Sequence, residues 1–313
     1  MTHSSSTIRI ATRQSRLALW QAEHVAERLR ERYAGLNVVL VPMTTQGDRV
    51  LDRPLAQVGG KGLFIKELEI AIAENRADIA VHSMKDVPSE LPPGMTIAAM
   101  LPRADPRDAF VSQRYANFQA LPQGARVGTS SLRRQCQLQS ARPDLQIVAL
   151  RGNVDTRLRK LDQGEYDAII LAAAGLIRLG LDQRITHHID VDLSLPAVGQ
   201  AVVGIECRAD DANSLTFVRA LDDRAARVCC EAERAFALRL QGSCQSPIGG
   251  YAELAGNDLT LRGVVGSEDG GTIYRGSARG TADNPQQIGL DLADRLLAAG
   301  ADVLLAAQRG HSS

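Results

Sequence analysis

A cluster of polar side chains follows a short apolar run near residue 80. The run, 79–81, shows no alternation of apolar and polar residues, which predicts a strand buried on both faces, as in a parallel sheet. In open α/β sheets ligands collect outside the carboxyl ends of the strands, so polar residues there form a candidate site. The alternative is a solvated turn with its carboxylate capping a helix or facing water. The polar residues are His82, Ser83, Lys85 and Asp86.

A local excess of positive charge lies between residues 126 and 160. This stretch holds seven arginines and one lysine against two aspartates, in a chain whose basic and acidic residues balance at 36 each. Segments 128–134 and 151–157 lie at predicted strand-to-helix junctions, where free N–H groups, the helix dipole and arginine forks all favour anions. The sequence therefore predicts a polyanionic substrate. Three members are instead expected on solvated helix faces: Arg142, Arg159 and Lys160.

Cys244 differs from the other cysteines in its surroundings. It follows Gly242 and Ser243 in a stretch without apolar periodicity, so we expect an exposed thiol and a potential nucleophile. Because the cysteines lack the spacing of a zinc site, no metal is predicted. The other four are expected to be small buried hydrophobic residues: Cys136, Cys207, Cys229 and Cys230.

The elements that must position these residues form an alternation of strands and helices over the first two thirds of the chain, which predicts an α/β fold. Two proline-bearing crossings, 102–106 and 193–200, divide it. The residue pattern after about position 224 predicts a small α+β domain. The predicted domains are 1–101 with 202–221, 107–195, and 224–313.

Several local features give sharper predictions. Ser15 is a candidate N-cap for a helix over 17–33, and the run 202–206 is expected to return to the first sheet. The second sheet is expected to be largely parallel. Three strand-like runs after residue 248 predict hairpins, and Pro285 is expected to open a last helix that ends near Gly300.

Composition limits the function further. A hydrophobic content of 44% with 23% charged residues is ordinary for a soluble globular protein, and 4% aromatic residues leave few platforms for stacking nucleic-acid bases. No apolar run has the length of a membrane span, and the N-terminal residues lack the apolar core of a signal peptide, so we expect a cytoplasmic protein. No P-loop or dinucleotide fingerprint supports phosphoryl transfer or a common cofactor.

Several motifs, taken in order, resemble the porphobilinogen deaminase family, and the resemblance runs through nearly the whole chain. No single motif is decisive, but their order and joint occurrence argue against a chance match to the family. They are Ala11-Thr-Arg-Gln-Ser15, Gly59-Gly-Lys-Gly-Leu-Phe64, Val81-His-Ser-Met-Lys-Asp-Val-Pro88, Gly128-Thr-Ser-Ser-Leu-Arg-Arg134, Arg151-Gly-Asn-Val154, Gly199-Gln200 and Gly242-Ser-Cys-Gln-Ser-Pro247.

The resemblance implies two periplasmic-binding-protein-like α/β domains flanking a cleft and a small α+β domain that carries a cofactor loop. It implies that four porphobilinogen molecules are deaminated and joined head to tail on a covalent dipyrromethane cofactor. Water would then release hydroxymethylbilane. The stretch 45–61 would be a mobile lid, with hinges near 102–106 and 196–201. The implied protein is a monomer without a nucleic-acid or membrane partner.

The resemblance also implies roles for single residues. Asp86 matches the catalytic aspartate, and Cys244 matches the cysteine that holds dipyrromethane through a thioether. Lys85 matches a ligand of a cofactor carboxylate. The acetate and propionate groups of the substrate agree with the local arginine excess. Further cofactor and substrate contacts are implied for Arg13, Ser15, Ser131, Arg133, Arg134, Arg151, Arg157, Arg178 and Gln200.

The chain departs from the family pattern at three positions. Ala201 and Ser243 stand where glycine is usual, and Ser246 stands where valine is usual. We expect these changes to alter hinge or loop flexibility and to leave the chemical groups in place.

Two other classes of function stay open at this point. Two α/β lobes joined by two crossings also describe a receptor for a polycarboxylate, although such a receptor needs no thiol. The positive stretch 126–160 is also compatible with a regulatory domain that binds nucleic acid, for which polynucleotide binding would depend strongly on salt.

Overall fold

The computed structural model describes residues 7–45, 65–242 and 246–310, with side chains described as far as 307. The chain forms two compact units, 1–103 with 202–227 and 104–201 with 228–313. The division into three domains stays a prediction.

The described residues form thirteen strands and nine α-helices. The strands are β1 (Thr7–Arg13), β2 (Asn37–Met43), β3 (Ile79–Ser83), β4 (Met95–Met100), β5 (Asp108–Val111), β6 (Arg126–Gly128), β7 (Gln146–Val148), β8 (Ala168–Ala172), β9 (His187–His188), β10 (Val203–Arg208), β11 (Ile248–Ala255), β12 (Asp258–Gly266) and β13 (Ile273–Thr281). The helices are α1 (Arg16–Arg32), α2 (Lys66–Ala73), α3 (Leu132–Ala141), α4 (Val154–Asp162), α5 (Ala173–Arg178), α6 (Ala212–Val218), α7 (Arg224–Arg239), α8 (Pro285–Leu296) and α9 (Asp302–Gly310).

The first sheet has the order β2-β1-β3-β10-β4. Strand β1 runs parallel to β2 and β3, whereas β10 runs antiparallel to both β3 and β4. The prediction that the run 202–206 returns to this sheet is confirmed, because β10 is buried between the two strands. A buried apolar strand can lie in this central position because neighbouring strands satisfy the hydrogen bonds of both its edges.

Helix α1 fixes the residues at the carboxyl end of β1. The Ser15 side chain accepts a hydrogen bond from the Ala18 N–H at 3.3 Å, which confirms the predicted N-cap. The buried residues of the helix recur every three or four positions and form one apolar stripe against the sheet. They include Ala18, Ala22, Val25, Ala26 and Leu29.

The second sheet repeats the pattern of the first, with the order β7-β6-β8-β5-β9. Strand β6 is parallel to β7 and β8, but β5 is antiparallel to β8 and β9. The expected largely parallel sheet is therefore wrong, since this sheet is mixed. An apolar run shows that a strand is buried but not the direction in which it runs.

The third sheet is antiparallel, with the order β11-β12-β13, and it confirms the predicted hairpins. Helices α7 and α8 pack closely here, because a Cβ atom at Gly289 would lie 2.3 Å from the Ala232 carbonyl oxygen. Two mixed five-stranded sheets and this antiparallel sheet with its helices confirm the predicted fold class of α/β units with a small α+β part.

The prediction that the helix opened by Pro285 ends near Gly300 is confirmed, but the prediction that it is the last helix is wrong. Helix α8 ends at Leu296, and the chain continues through Leu297–Ala301 into α9. Gly300 has the positive φ of 114° that suits a helix end. The chain resumes a helix after it because Ala301 and Leu305 bury apolar surface against this third sheet's core.

Glu233, on α7, provides a test of this packing. Its buried carboxylate accepts hydrogen bonds from the N–H groups of Gly199 at 2.7 Å and Ala252 at 2.8 Å. Glu233→Gln turns one accepting oxygen into a donor that faces an N–H group, so we expect the free energy of unfolding to fall by about 1 to 3 kcal/mol. Urea unfolding measures this, with the exposed Glu268→Gln as a charge-matched control. Equal stability of the two variants would contradict the structural role.

Candidate active site

The polar cluster after β3 lines a cavity within the first unit. Residues 84–86 form one turn of 3-10 helix directly after the strand, and it carries Lys85 and Asp86. The cavity has a volume of about 60 Å³. Its polar lining residues are Arg13, Ser15, Gln21, His82, Ser83 and Asp86, and its apolar ones are Leu17, Ala18, Ile65 and Val81.

Three elements supply the polar wall of this cavity. Arg13 ends β1, Ser15 caps α1, and Asp86 closes the turn after β3. Gln21, on the buried face of α1, donates a hydrogen bond to the Ser83 hydroxyl at 2.8 Å and so links α1 to the end of β3. The structure thus brings Arg13 and Ser15 together with Asp86, which lies more than 70 positions further along the sequence. A guanidinium, a hydroxyl and a carboxylate around one space suit a ligand with both carboxylates and N–H groups.

Two other predicted site residues, Arg133 and Arg134, lie in the first turn of α3 and are almost fully buried, with 4% and 6% exposure. Arg133 Nη1 lies 3.0 Å from Asp108 Oδ2, and Arg134 Nη2 lies 2.8 Å from Asp108 Oδ1. Ser194 Oγ and Gln200 Nε2 donate to the same carboxylate, each at 3.0 Å. We call these five residues the Asp108 cluster.

Carbonyl oxygens complete the Asp108 cluster. Arg133 Nη1 donates to Leu195 O at 2.6 Å, and Arg134 Nη1 donates to Ile170 O at 3.0 Å. The Nε atoms of both arginines are buried and make no hydrogen bond with the described part of the chain. Two guanidinium groups against one carboxylate leave one positive charge in excess.

The charges of the cluster depend on each other. Burial opposes ionisation of Asp108, but the charges of Arg133 and Arg134 outweigh it and hold the pKa of this carboxyl far below its usual range. Burial in turn lowers the pKa of Arg133, and the Asp108 charge opposes this. The ion pairs are therefore a condition for burying the arginines.

The remaining predicted residues of the second unit lie near helix ends. Ser131 is the N-terminal flanking residue of α3. Arg151 lies just before Asn153, which caps α4 by accepting from the Thr156 N–H at 2.9 Å, and Arg157 Nε donates to Gly152 O at 2.7 Å. Burial lowers the pKa of Arg178 to about 10, and this arginine donates to Ala201 O at 2.7 Å.

Some predictions fall on residues outside the described ranges. These include Cys244, Ser243 and most of the predicted lid at 45–61. The four other cysteines are buried, as predicted. Across 7–45, 65–242 and 246–310, no group of three His, Cys, Asp or Glu residues could hold a metal ion. The helices found in these same ranges are all too short or too polar to cross a membrane.

Sequence reasoning missed Asp108 and Glu206. Asp108 begins a short apolar strand, and its arginine partners are 25 and 26 positions away, so no local spacing marks it. Glu206 lies in the middle of β10, where its charge interrupts an otherwise apolar run. That interruption is the signal that could have drawn attention to it.

Two family models match the chain. One, described as "Porphobilinogen deaminase, dipyromethane cofactor binding domain", matches residues 8–216, and the other, "Porphobilinogen deaminase, C-terminal domain", matches residues 227–298. Together they define an enzyme of tetrapyrrole biosynthesis, a transferase with a domain that binds a dipyrromethane cofactor. The chain belongs to the porphobilinogen deaminase family. This membership favours the enzyme over the receptor and nucleic-acid alternatives.

Similar solved structures include the periplasmic VFT2 domain of BvgS from Bordetella pertussis, 14% identical over 69% of this chain and 86% of that one, with a TM-score of 0.43. A putative methionine-binding lipoprotein from Bacillus subtilis is 13% identical over 69% and 90%, with a TM-score of 0.44. The OxyR2 regulatory domain from Vibrio vulnificus is 14% identical over 71% and 99%, with a TM-score of 0.43. Similarity at this level carries no argument about function.

Asp108→Asn tests the charge balance of the Asp108 cluster. Loss of the carboxylate charge leaves two buried arginines without a countercharge, so we expect a loss of about 3 to 5 kcal/mol in the free energy of unfolding. Because folding depresses the pKa of Asp108, its stabilising effect is present above the unfolded value of about 3.9 and is lost only as the pH falls through the lower folded value. The deficit should therefore be constant between about pH 5 and 8.

Denaturant unfolding at several pH values measures this deficit. The matched control is Asp144→Asn, which breaks a surface ion pair with Arg142 and is expected to have little effect. A similar small effect for Asp108→Asn, or a deficit that disappears at pH 7, would contradict the account.

Proposed function

We propose that this chain deaminates four porphobilinogen molecules and joins them head to tail on a dipyrromethane attached to Cys244. Water then releases hydroxymethylbilane, and each condensation releases one ammonia. The observation that carries the proposal is the family match over 8–216, within which Arg13, Ser15 and Asp86 surround one cavity.

The described residues fit a ligand of this kind. A dipyrromethane made from two substrate units offers pyrrole N–H groups and several carboxylates, and when bound it supplies a free pyrrole α-carbon at which the next unit is added. The cavity wall supplies a carboxylate acceptor and a guanidinium donor. The orphaned Nε atoms of Arg133 and Arg134 are further donors with no partner in the described ranges.

In the first unit, Asp86 is the proposed catalytic residue. Its carboxylate accepts hydrogen bonds from pyrrole N–H groups, stabilises the positive charge that develops on the ring when ammonia departs, and takes up the proton lost from the α-carbon. Arg13 and Ser15 bind ligand carboxylates beside it. Lys85, on the same 3-10 turn, binds a cofactor carboxylate.

In the second unit, the proposed role of the cationic residues is to hold the carboxylates of the growing chain. The N-terminal ends of α3 and α4 support this role, because free N–H groups and the helix dipole attract anions there. The residues proposed to bind cofactor or substrate are Ser131, Arg133, Arg134, Arg151, Arg157, Arg178 and Gln200. The three-domain division, the cytoplasmic location and the monomeric state remain predictions.

Asp86→Asn tests the catalytic assignment. The change removes the charge with little change of shape, so we expect normal folding, a normal cofactor mass and a loss of turnover of about 100-fold or more. The assay follows porphobilinogen consumption and ammonia release. Asp210→Asn, an exposed position, is the control. Turnover of Asp86→Asn within a few-fold of the parent would exclude the assigned role.

A further inference from the structure

His82, in the cavity wall beside Asp86, is paired with the buried Glu206. His82 Nε2 lies 2.8 Å from Glu206 Oε2, and the side chains of the two residues are 4% and 0% exposed. His82 lies on β3 and Glu206 on the neighbouring strand β10, and the backbone of Glu206 is opposite Ala80. The pair links β3, the strand that leads to Asp86, with β10, the strand that follows the second crossing.

The surroundings of Glu206 do not explain why its charge is buried. Its second oxygen, Oε1, makes no hydrogen bond with the residues that the structure describes. An ionised carboxylate without a nearby positive charge is costly to bury, and the described partner that can supply the charge is the His82 imidazole. A proton held on the imidazole makes the buried pair neutral as a whole.

His82 also faces the cavity in which the proposed ligand would bind. Its side chain lines the same cavity as Arg13, Ser15 and Asp86. Because Nε2 is occupied by Glu206, Nδ1 is the ring atom that is left for a ligand. It makes no hydrogen bond with the described part of the chain. A protonated imidazole would present an N–H donor there.

Other charged groups near the pair come from each neighbouring element. Arg13 is supplied by β1, Asp86 by the turn after β3, and Glu69 by α2. Burial, followed by the nearby Glu206 charge, raises the pKa of Glu69, while His82 opposes this shift. A positive charge on His82 therefore favours the ionised form of Glu69.

We propose that His82, kept cationic by Glu206, is a second carboxylate-binding residue of this cavity. The inference rests on the proposed function, in which porphobilinogen brings one acetate and one propionate. Arg13 with Ser15 receives one carboxylate, and His82 Nδ1 receives the other. His82 then contributes to substrate specificity, and Glu206 is a positioning residue that acts through it.

The protonation of His82 can be measured without turnover. In protein labelled with ¹⁵N-histidine, the His82 signals are assigned by their absence from His82→Gln. We expect both ring nitrogens to be protonated at pH 7.5 in the parent, and one of them in Glu206→Gln. A singly protonated His82 ring in the parent would overturn the inference.

Substrate analogues test the binding role. We expect His82→Gln to lower kcat/KM for porphobilinogen by about tenfold, mainly through KM, as for loss of a charged hydrogen bond. A porphobilinogen monoester that blocks the carboxylate facing His82 should be a poor substrate for the parent, and the variant should lose this discrimination. His187→Gln, an exposed histidine on β9, should behave like the parent.

The outcomes separate this inference from the proposed function. A parent that carries no dipyrromethane and consumes no porphobilinogen contradicts the proposed function, whatever the His82 signals show. A parent that is active, together with a His82→Gln variant that still discriminates between acid and ester, contradicts the inference and leaves the proposed function intact. Slower turnover with unchanged discrimination also counts against it, since lost packing produces that result.

Discussion

The Asp108 carboxylate is the charge on which the cationic part of the second unit depends. An enzyme that holds a polycarboxylate needs fixed cations, but buried guanidinium groups are unstable without a countercharge. Asp108 supplies that charge to both Arg133 and Arg134, and it also accepts from Ser194 and Gln200 in the second crossing. One carboxylate thus fixes the start of α3 relative to the segment that leads out of the unit, and the cluster keeps one positive charge in excess.

The first unit also buries an acidic side chain against a basic partner. Here the acidic residue is Glu206, and its described partner is the imidazole of His82. Both units place their charged groups where a buried strand meets a helix or turn: after β3 for Asp86, and after β6 for the arginines of α3. Strand ends in such sheets leave N–H groups and side chains available to ligands, so the repeated strand order accounts for the repeated location.

Local signals in the sequence predicted much of this arrangement. The polar residues after the run 79–81, the Ser15 cap and the hairpin turns each depend on a few neighbouring residues, and the structure confirms the strand, the cap and the hairpins. The mixed direction of the second sheet could not be predicted, because burial does not encode strand direction. The role of Asp108 was also hidden, since its Ser194 partner is 86 positions away. Gly300 ends its helix as predicted, but the helix that follows was not predicted, because it depends on apolar surface that Ala301 and Leu305 bury against the core of the third sheet.

The central claim is that this chain builds a tetrapyrrole on a dipyrromethane attached to Cys244. The most direct test is the intact mass of the purified protein under denaturing conditions, compared with a Cys244→Ser variant. The account predicts an added mass of two linked pyrrole units on the parent, either as purified or after incubation with porphobilinogen, and no added mass on the variant. A parent that stays bare after incubation, or a variant that carries the same added mass, would contradict it.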